Sequence, residues 1–561
     1  MKKVAFFICY IFSTLFAQLP SKYHSNDEVT SALKQFAKQY SSLISIESIS
    51  RTVKGNDLWV VTIGKKEPQN HKAILVVGGI EAASLAGTEH ALRYIQHLAS
   101  SYGKVDSITR LLDNTTVYVV PRANPDASES YFTVPLTERE SDYSPMDDDR
   151  DALVDEDDVD DVNKDGIISW MRIEDPRGEW VINPDDARLM KKADPGKGEK
   201  GKYRLLSEGF DNDKDEEWNE DPAGGTDFNR NFTYNYQFFG KNSGVHQISE
   251  DATRALANFV FDRPNIAMLF TFSSNDNLTT AWKNEPPKGE SSVISSVLKD
   301  DEDYYSFISK KFGEITKLKD APKPVKGEGA FSEWGYYHSG RWSFAVRPWW
   351  PGEIPKVKDT AAIKDTTIKT GEGKKEEKDK TEDPQMKTLK WYDAIGASDV
   401  AVSWKVFSHP DFPGQTVEIG GIKPFRLTNP PAESLNAVAV PYVNFLTVLP
   451  SLLPSLSVEN HKVEKIGENV FRVSVDVVNN GYLPTNSGIA QKTRWIRNVR
   501  VTLNAGNKNV VTSGKAKQVL NPIKGSGGFK TVSWIIVGHG SVTVSADSPI
   551  AGMSELKIDL Q

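Results

Sequence analysis

The sequence contains very little cysteine and histidine. Of its 561 residues, one is cysteine and nine are histidine. Because the single cysteine, Cys9, lies within the first eighteen residues, the rest of the chain can form neither a disulfide nor a thiolate metal site. Imidazole is the other common zinc ligand, so the small number of histidines also limits the zinc sites that this chain can build.

An excess of positive charge is also missing. Lysine and arginine total 68 against 76 aspartates and glutamates, which gives a formal net charge of -8. This balance argues against a nucleic-acid partner, because such proteins neutralise phosphates with a basic surface. After the first eighteen residues we also find no apolar run of the length that crosses a bilayer, so no membrane span is expected there.

The first residues have the pattern of an export signal. Lys2 and Lys3 precede an apolar run over residues 4–16, which Ala17 and Gln18 follow. A charged start, a short apolar run and a small residue at the end predict a signal peptide over residues 1–18. The protein is therefore expected to be secreted or periplasmic.

The next part of the chain alternates apolar strands with helical segments. Alternation of this kind predicts a mixed-sheet α/β/α domain, which we place at residues 19–455. The predicted strands are residues 58–63, 73–77, 116–120, 266–272 and 343–346. Two insertions interrupt the pattern, an acidic one at 142–221 and a charged, low-complexity one at 356–383 that is expected to be mobile.

From residue 456 onward the pattern changes to short alternating strands separated by glycine and asparagine turns. Val473, Val475 and Val477 alternate with polar residues before the turn at Asn480 and Gly481. Such spacing predicts an all-β sandwich over residues 456–561.

Four motifs occur in the order found in one known family. The motifs are VGGIEAASLAGTE at 77–89, PRANPD at 121–126, TDFNRNF at 226–232, and EWGYYH at 333–338 with SFAV at 343–346. Together they resemble the zinc carboxypeptidases of peptidase family M14, in a bacterial branch with an Asp-rich insert. The resemblance implies a carboxypeptidase-like fold and, for an active member, zinc-dependent proteolysis.

The family's zinc ligands are replaced in this sequence. The resemblance implies two histidines and a glutamate as zinc ligands. Glu81 occupies the position of the first histidine, and Ser84 occupies the position of the glutamate. Phe272 aligns with the second histidine, and a shift of one residue would place Thr271 or Ser273 there instead. None of the three is histidine, so zinc is not expected as a cofactor.

The family's catalytic glutamate is replaced as well. Arg347 occupies that position, which would leave the chain without the base that deprotonates a metal-bound water. Because a buried arginine needs a partner, we predict an ion pair between Glu81 and Arg347 in place of the zinc. The sequence thus predicts a pseudoenzyme that does not carry out zinc-dependent hydrolysis.

One substrate-binding motif is kept. The resemblance implies that Asn229 and Arg230 bind the terminal carboxylate of a substrate, and a guanidinium suits a carboxylate because it can form two parallel hydrogen bonds. The ligand would then be a peptide C-terminus or a peptidoglycan-like fragment. Arg230 could instead pair with a nearby acidic residue of this chain.

Two other functions stay open from sequence alone. The chain could be an active zinc carboxypeptidase with displaced ligands, although its one His-x-x-Glu pair, His461 and Glu464, lies in the predicted sandwich, where alternation points the two side chains to opposite faces. It could also be an adhesion or scaffold module in which the sandwich performs the binding.

The acidic insertion contains carboxylates at alternate positions, the spacing of oxygen ligands around calcium. One set, ending in Gly166, fits Asp-x-Asn-x-Asp-Gly, but Arg172 replaces the glutamate that ends an EF-hand loop. Calcium is therefore a predicted cofactor. The candidate ligands are Asp147, Asp149, Asp151, Asp155, Asp161, Asn163, Asp165, Asp211, Asp213 and Asp215.

Overall fold

The computed structural model of the chain describes residues 19–65, 67–146, 155, 159–212, 214, 218, 224–285, 293–353 and 383–560. The predicted signal peptide lies outside the described residues, as does the charged insertion up to residue 382.

The α-helices in this part of the chain differ in how much of their surface is buried. They are α1 (Asn26–Gln39), α2 (Ala86–Ser101), α3 (Asp106–Asn114), α4 (Pro125–Ser128), α5 (Asp251–Phe261), α6 (Lys299–Thr316), α7 (Phe331–Tyr337), α8 (Pro384–Ala394), α9 (Leu435–Val448) and α10 (Gly488–Thr493). They range from helices with one buried face, such as α1, to helices that are buried almost all round, such as α2.

The strands fall into four sheets. They are β1 (Ile44–Arg51), β2 (Asp57–Ile63), β3 (Lys72–Val77), β4 (Thr115–Val120), β5 (Trp170–Glu174), β6 (Trp180–Ile182), β7 (Met190–Lys192), β8 (Tyr203–Ser207), β9 (Ile266–Phe272), β10 (Trp342–Val346), β11 (Ala401–Phe407), β12 (Val417–Ile422), β13 (Leu456–Gly467), β14 (Val470–Asn479), β15 (Arg500–Asn504), β16 (Val510–Ser513), β17 (Lys517–Val519), β18 (Gly528–Val537), β19 (Gly540–Ser548) and β20 (Gly552–Leu560).

The central sheet has the strand order β1-β2-β4-β3-β9-β10. Strands β4, β3, β9 and β10 run parallel, and β1 and β2 add an antiparallel edge. The sheet is therefore mixed, as predicted. Ligands of open α/β sheets bind beyond the carboxyl ends of the parallel strands, so the candidate site is sought at that edge.

Both faces of the central sheet are covered. Val76 and Phe270 pack into a core with α1, α2, α6 and α9, whereas Leu75, Leu269 and Trp334 belong to a second core on the α5 and α7 side. Burial on both faces explains why β3 and β9 are continuous apolar runs, because neither face of these strands is exposed to solvent and polar residues are not needed at alternate positions.

The acidic insertion is more ordered than its sequence indicated. Strands β5 to β8 lie within it and join β11 and β12 in a second six-stranded sheet of order β11-β12-β5-β8-β6-β7. The sequence analysis missed these strands because they are short, and because β5 pairs with β12, more than 240 residues later in the chain.

The C-terminal region consists of two four-stranded antiparallel sheets, β13-β14-β18-β16 and β17-β15-β19-β20. Val475 and Trp534 from one sheet share a core with Val501 and Val544 from the other. The predicted fold class, a mixed-sheet α/β domain followed by a β-sandwich, is confirmed.

One apolar segment was overlooked in the sequence. Ala432–Leu452 is long and apolar enough to cross a membrane by length and composition, and 44% of it is buried within the protein. Tyr442, Phe445 and Leu446 belong to the core that α2 and α6 also line. Packing in this core accounts for part of its apolar character, since buried helices of large domains are apolar on several faces.

Candidate functional site

The carboxyl ends of β3, β9 and β10 bring the motif residues together. Glu81 follows β3, Ser273 and Ser274 follow β9, and Arg347 follows β10. Parallel pairing of the three strands sets these chain segments side by side, which is how residues nearly 270 positions apart come to line one cleft.

Two glycines shape the turn that presents Glu81. Gly79 has φ +57°, and a Cβ there would lie 2.6 Å from Thr88 Oγ1. A Cβ on Gly78 would lie 2.6 Å from the carbonyl oxygens of Gly87 and Pro121. The turn therefore requires glycine for close packing against the start of α2, and at Gly79 also for its left-handed backbone.

The Glu81 carboxylate is bound by donors from the end of β9. Its Oε1 atom accepts hydrogen bonds from Ser273 Oγ, from Ser274 N and from Ser274 Oγ, each at 2.7 Å. Asn229 Nδ2 approaches the same oxygen at 3.4 Å. Hydroxyl and amide donors directed at one carboxylate oxygen satisfy that oxygen by hydrogen bonds, without a cation.

Asn229 is part of the same network. Its Nδ2 donates to Asn275 Oδ1 at 2.9 Å, and its Oδ1 accepts from Phe331 N at 3.1 Å. Ser273 Oγ, whose one proton is directed at Glu81, accepts a hydrogen bond from Asn275 N at 3.1 Å. We call Glu81, Asn229, Ser273, Ser274 and Asn275 the inner network. Because the Asn229 amide is held inside this network, the carboxylate-binding role that the resemblance implies for it would require rearrangement.

Ser273, rather than Phe272, is the residue of β9 and its exit that contacts Glu81. The Phe272 ring points to the opposite face, where it lies edge-on to His90 with ring centres 5.4 Å apart and also contacts Tyr442. Successive side chains of a strand point to opposite faces, so Phe272 faces away from Glu81, and Ser273, one of the two alternatives considered for this position, faces toward it. Ser84 donates its backbone N–H to the Glu81 carbonyl at 3.0 Å.

The predicted ion pair between Glu81 and Arg347 does not form. Arg347 Nη2 lies 3.4 Å from the Lys323 carbonyl oxygen, and its Nε is buried without a hydrogen-bond partner. The prediction was wrong because neutral donors from Ser273 and Ser274 already satisfy Glu81. The Arg347 guanidinium instead lies close enough to Asp276 to oppose the effect of burial, which raises the pKa of that carboxyl.

Arg230 is paired with an acidic residue of its own chain. Its Nη2 donates to Glu328 Oε2 at 2.8 Å, and the two side chains are 33% and 40% exposed. The Arg230 Nε is buried without a partner. We call Arg230 and Arg347 the arginine side of the cleft. Of the two roles left open for Arg230, the structure places it in a local ion pair that is still reachable from solvent.

A group of acidic side chains lies next to the inner network and was not singled out from sequence. Asp227 accepts a hydrogen bond from Asn229 N at 2.7 Å, and Glu140 accepts one from Ala82 N at 2.6 Å. Burial, and to a smaller extent the charge of Glu81, raises the pKa of Asp227 to about 7, while Arg230 opposes this shift. Burial and the charge of Asp227 likewise raise the pKa of Glu140 well above its usual range.

The residues at the family's metal positions do not fit zinc. Across the residues that the structure describes, no group of three or more His, Cys, Asp or Glu side chains is arranged to hold a metal ion. At the position itself the donor set consists of one carboxylate oxygen, already bound by O–H and N–H groups, and serine hydroxyls. Zinc sites in proteins are built instead from imidazole, thiolate and carboxylate ligands.

Half of the predicted calcium ligands can be placed. Asp161, Asn163 and Asp165 form a tight loop in which Asp161 Oδ2 accepts from Gly166 N at 2.8 Å and Asn163 Oδ1 accepts from Asp165 N at 2.8 Å. Asp155 Oδ1 accepts from Gly224 N at 2.8 Å. Asp211 is described as well, whereas the remaining candidates lie outside the described residues: Asp147, Asp149, Asp151, Asp213 and Asp215. Calcium binding stays a prediction.

Comparison with known proteins identifies two parts of the chain. A family model described as zinc carboxypeptidase, peptidase M14, matches residues 29–151, and a model described as a domain of unknown function matches residues 455–559. Carboxypeptidase M of Mus musculus is 34% identical over 118 residues, which are 20% of this chain and 26% of that protein. Mast cell carboxypeptidase A of Mus musculus is 32% identical over 106 residues, 19% of this chain and 25% of that protein.

Two of the solved structures that are similar to this chain superpose with low TM-scores. Thrombin activatable fibrinolysis inhibitor superposes with a TM-score of 0.39 at 16% identity, covering 58% of this chain and 66% of that one. Carboxypeptidase A from Helicoverpa armigera superposes with a TM-score of 0.37 at 13% identity, covering 67% and 73%. The chain spans about a quarter of the length of the mouse relatives, and within that span, residues 29–151, it carries a sequence similar to the zinc carboxypeptidases of family M14.

Proposed function

We propose that the α/β domain is a binding module with a carboxypeptidase-like fold that does not hydrolyse peptides through zinc. The inner network carries this proposal. At the position where an active member would hold zinc, Glu81 accepts hydrogen bonds from Ser273 and Ser274. The groups in contact with the Glu81 carboxylate are hydroxyl and amide groups, which are not the usual ligands of zinc.

The chemistry of hydrolysis also lacks a base at this position. Zinc lowers the pKa of a bound water from about 15.7 to about 7, which is what makes hydroxide available at neutral pH. Arg347, at the position of the family's catalytic glutamate, cannot take up a proton because its guanidinium is already protonated in proteins. The residue at this position therefore cannot activate a water by removing its proton.

The arginine side supports ligand binding. Arg230 makes one hydrogen bond to Glu328, and both side chains are about one-third exposed, so an incoming carboxylate can reach the guanidinium and compete with Glu328. A ligand carboxylate that forms two parallel hydrogen bonds with the Arg230 guanidinium would replace the single hydrogen bond from Arg230 to Glu328. The ligand we propose is a peptide C-terminus or a peptidoglycan-like fragment that ends in a carboxylate.

The first test is metal content and hydrolysis on the same sample. The purified full chain is dialysed against trace zinc and calcium, analysed by elemental mass spectrometry, and then incubated with a peptide whose released C-terminal residue is quantified. We expect less than stoichiometric zinc and no release. One zinc per chain together with release of the terminal residue would overturn the proposal and favour an active carboxypeptidase with displaced ligands. Calcium in the same measurement tests the acidic insertion.

The second test addresses binding. A peptide with a free C-terminal carboxylate and the same peptide with a C-terminal amide are titrated into the full chain by calorimetry. We expect the free acid to bind more tightly, and Arg230→Gln to remove the difference. Arg472→Gln is the matched control, because Arg472 makes an equivalent 2.8 Å pair with Glu464 in the sandwich. Equal binding of both peptides, or equal effects of the two variants, would favour an adhesion or scaffold module.

A further inference from the structure

A recess with aromatic walls lies beside the cleft. It has a volume of about 310 Å³ and is bounded by residues 234–235, 282–285, 295–297 and α7. This volume is at the lower end of the range for small-molecule sites, about 300 to 1,000 Å³. The segment that leads from Lys326 to Glu328 separates the recess from Arg230, so the two features are neighbours with different linings.

Three aromatic rings form a rigid part of the lining. Tyr234 and Tyr337 stack with ring centres 4.0 Å apart and an angle of 9° between the planes. Trp282 lies 5.9 Å from Tyr337, and it is held from behind by Tyr305 at 5.3 Å and Tyr336 at 5.9 Å. Rings that are fixed by other rings lose little freedom when a ligand binds, which favours affinity.

The polar part of the lining offers one acceptor and one donor to a ligand. The Glu333 carboxylate accepts a single hydrogen bond within the described residues, from Gly327 N at 3.1 Å. Lys326 is exposed, and its positive charge opposes the effect of burial, which raises the pKa of the Glu333 carboxyl. Lys283 donates to Ser306 Oγ at 3.0 Å.

The charges of the recess select against ionic ligands. Two lysines, Lys283 and Lys326, face two glutamates, Glu285 and Glu333, so the lining has no net formal charge. A charged ligand would be attracted by the two side chains of opposite charge and repelled by the two of like charge. A neutral ligand rich in hydroxyl groups can donate to Glu333 and accept from Lys326 at the same time.

We propose that this recess binds a neutral saccharide, with the apolar face of a pyranose ring against the Trp282, Tyr234 and Tyr337 wall and its hydroxyls on Glu333 and Lys326. Aromatic side chains combine a large apolar face with a polar edge, and a pyranose ring does the same, with C–H groups on its faces and hydroxyls at its rim. An apolar side chain of a peptide would fill the wall equally well. It would, however, leave the half-buried Glu333 carboxylate without a second donor, which is unfavourable.

The test uses soluble trisaccharides with the full chain. Chitotriose, cellotriose and maltotriose are each examined by saturation-transfer NMR, which reports ligand protons that lie against the protein. We expect at least one to receive saturation on its ring C–H protons, and Trp282→Ala to weaken its affinity more than tenfold. Trp495→Ala is the matched control, because Trp495 is 58% exposed and lies on another part of the surface.

A second variant guards against a folding defect, because Trp282 packs partly against the core. Lys326→Ala changes only an exposed side chain, and we expect it to weaken saccharide affinity severalfold without changing the thermal midpoint. Absence of saturation transfer for all three sugars at millimolar concentration would overturn the proposal. The proposal would also be wrong if Trp282→Ala abolished binding of the free-acid peptide while no sugar bound, because the recess would then belong to the peptide cleft.

Discussion

The inner network and the arginine side differ in how their polar groups are satisfied. On the inner side, one oxygen of Glu81 accepts three hydrogen bonds of 2.7 Å, and Asn229 is bound at both ends of its amide. On the arginine side, Arg230 and Arg347 each keep a buried Nε without a partner. The inner network thus uses its polar groups in hydrogen bonds within the protein, whereas the arginine side retains donors that a ligand could use.

The contrast has a simple chemical origin. A carboxylate among hydroxyl and amide groups can be neutralised by reorienting short side chains, as Ser273 and Ser274 do for Glu81. A guanidinium has five N–H donors in a fixed plane and needs acceptors placed around it. Short polar side chains can therefore complete the hydrogen bonds of a carboxylate more easily than those of a guanidinium.

Removal of Glu81 should have the largest effect. In Glu81→Ala, three donors lose their acceptor, and Ser273 is fully buried. We expect the free energy of local opening to fall by about 2 to 4 kcal/mol. Hydrogen exchange at the Ser274 amide, which donates to Glu81 directly, measures this.

Glu81→Gln is the matched control for that change, because its amide oxygen can still accept from the same donors. It should retain most of the protection, and amides of β14 in the sandwich should exchange at the wild-type rate in both variants. If the Ser274 amide of Glu81→Ala exchanged within about threefold of wild type, the network would not be what holds this edge of the sheet.

The acidic group beside the network should make stability depend on pH. The pKa of Asp227 is raised to about 7, so the folded state holds a proton that the unfolded chain has already released at pH 5. Ionisation of the buried Asp227 therefore does not lower the free energy of unfolding below about pH 4, and it lowers that free energy by its full amount above about pH 7. Asp227→Asn cannot ionise, and its side-chain oxygen can still accept from Asn229 N.

Between pH 5 and pH 8, wild type should lose about 1 to 3 kcal/mol of unfolding free energy relative to Asp227→Asn. Urea unfolding at both pH values checks this. Some pH dependence should remain in the variant, because burial also raises the pKa of Asp142 to about 6 and that of Glu140 further. Asp262→Asn, at an exposed helix end, is the control, and an Asp227→Asn curve parallel to wild type would show that Asp227 is ionised throughout.

The sequence predicted where the cleft would be, but not how its side chains are paired. The strands that end before Glu81, Ser273 and Arg347 were recognised as apolar runs, and their parallel arrangement brings those ends together. The side-chain contacts at the strand ends required more. Because side chains alternate between faces, a shift of one residue exchanged Phe272 for Ser273, and the ion pair of Arg347 was predicted without the two serines that satisfy Glu81.

Two other features could not be read from local pattern. Strands β5 to β8 are short, and β5 joins them to β12, more than 240 residues later, so their stability depends on contacts that no window of sequence contains. Asp227 and Glu140 are ordinary acidic residues in sequence, and their raised pKa values come from burial beside Glu81. The one available signal was that Asp227 lies within the motif at 226–232 that also contains Asn229.

Removal of Arg347 should change stability much less than removal of Glu81. Arg347→Met keeps the length of the aliphatic chain and deletes a guanidinium whose side chain makes one contact, at 3.4 Å. Loss of that contact and of the charge near Asp276 is offset by removal of a half-buried, incompletely paired cation, so we expect a change below about 1 kcal/mol. Thermal unfolding measures it. A loss above about 2 kcal/mol would mean that the arginine side is as tightly built as the inner network.

Glu328→Gln should have the smallest effect on stability and the most informative effect on binding. Both side chains of the Arg230–Glu328 pair are partly exposed, and ion pairs that solvent reaches contribute about 0 to 1 kcal/mol, so the thermal midpoint should hardly move. Without the Glu328 charge, a free-acid peptide no longer competes with a carboxylate for Arg230, and its affinity should rise about two- to fivefold, whereas the amidated peptide should be unaffected. Calorimetry with both peptides measures this, with Glu464→Gln as control because it breaks the corresponding pair to Arg472 in the sandwich. If Glu328→Gln instead lowered the affinity for the free acid, Glu328 would be a ligand-binding residue that orients Arg230, and the arginine side would be as fully organised before binding as the inner network is.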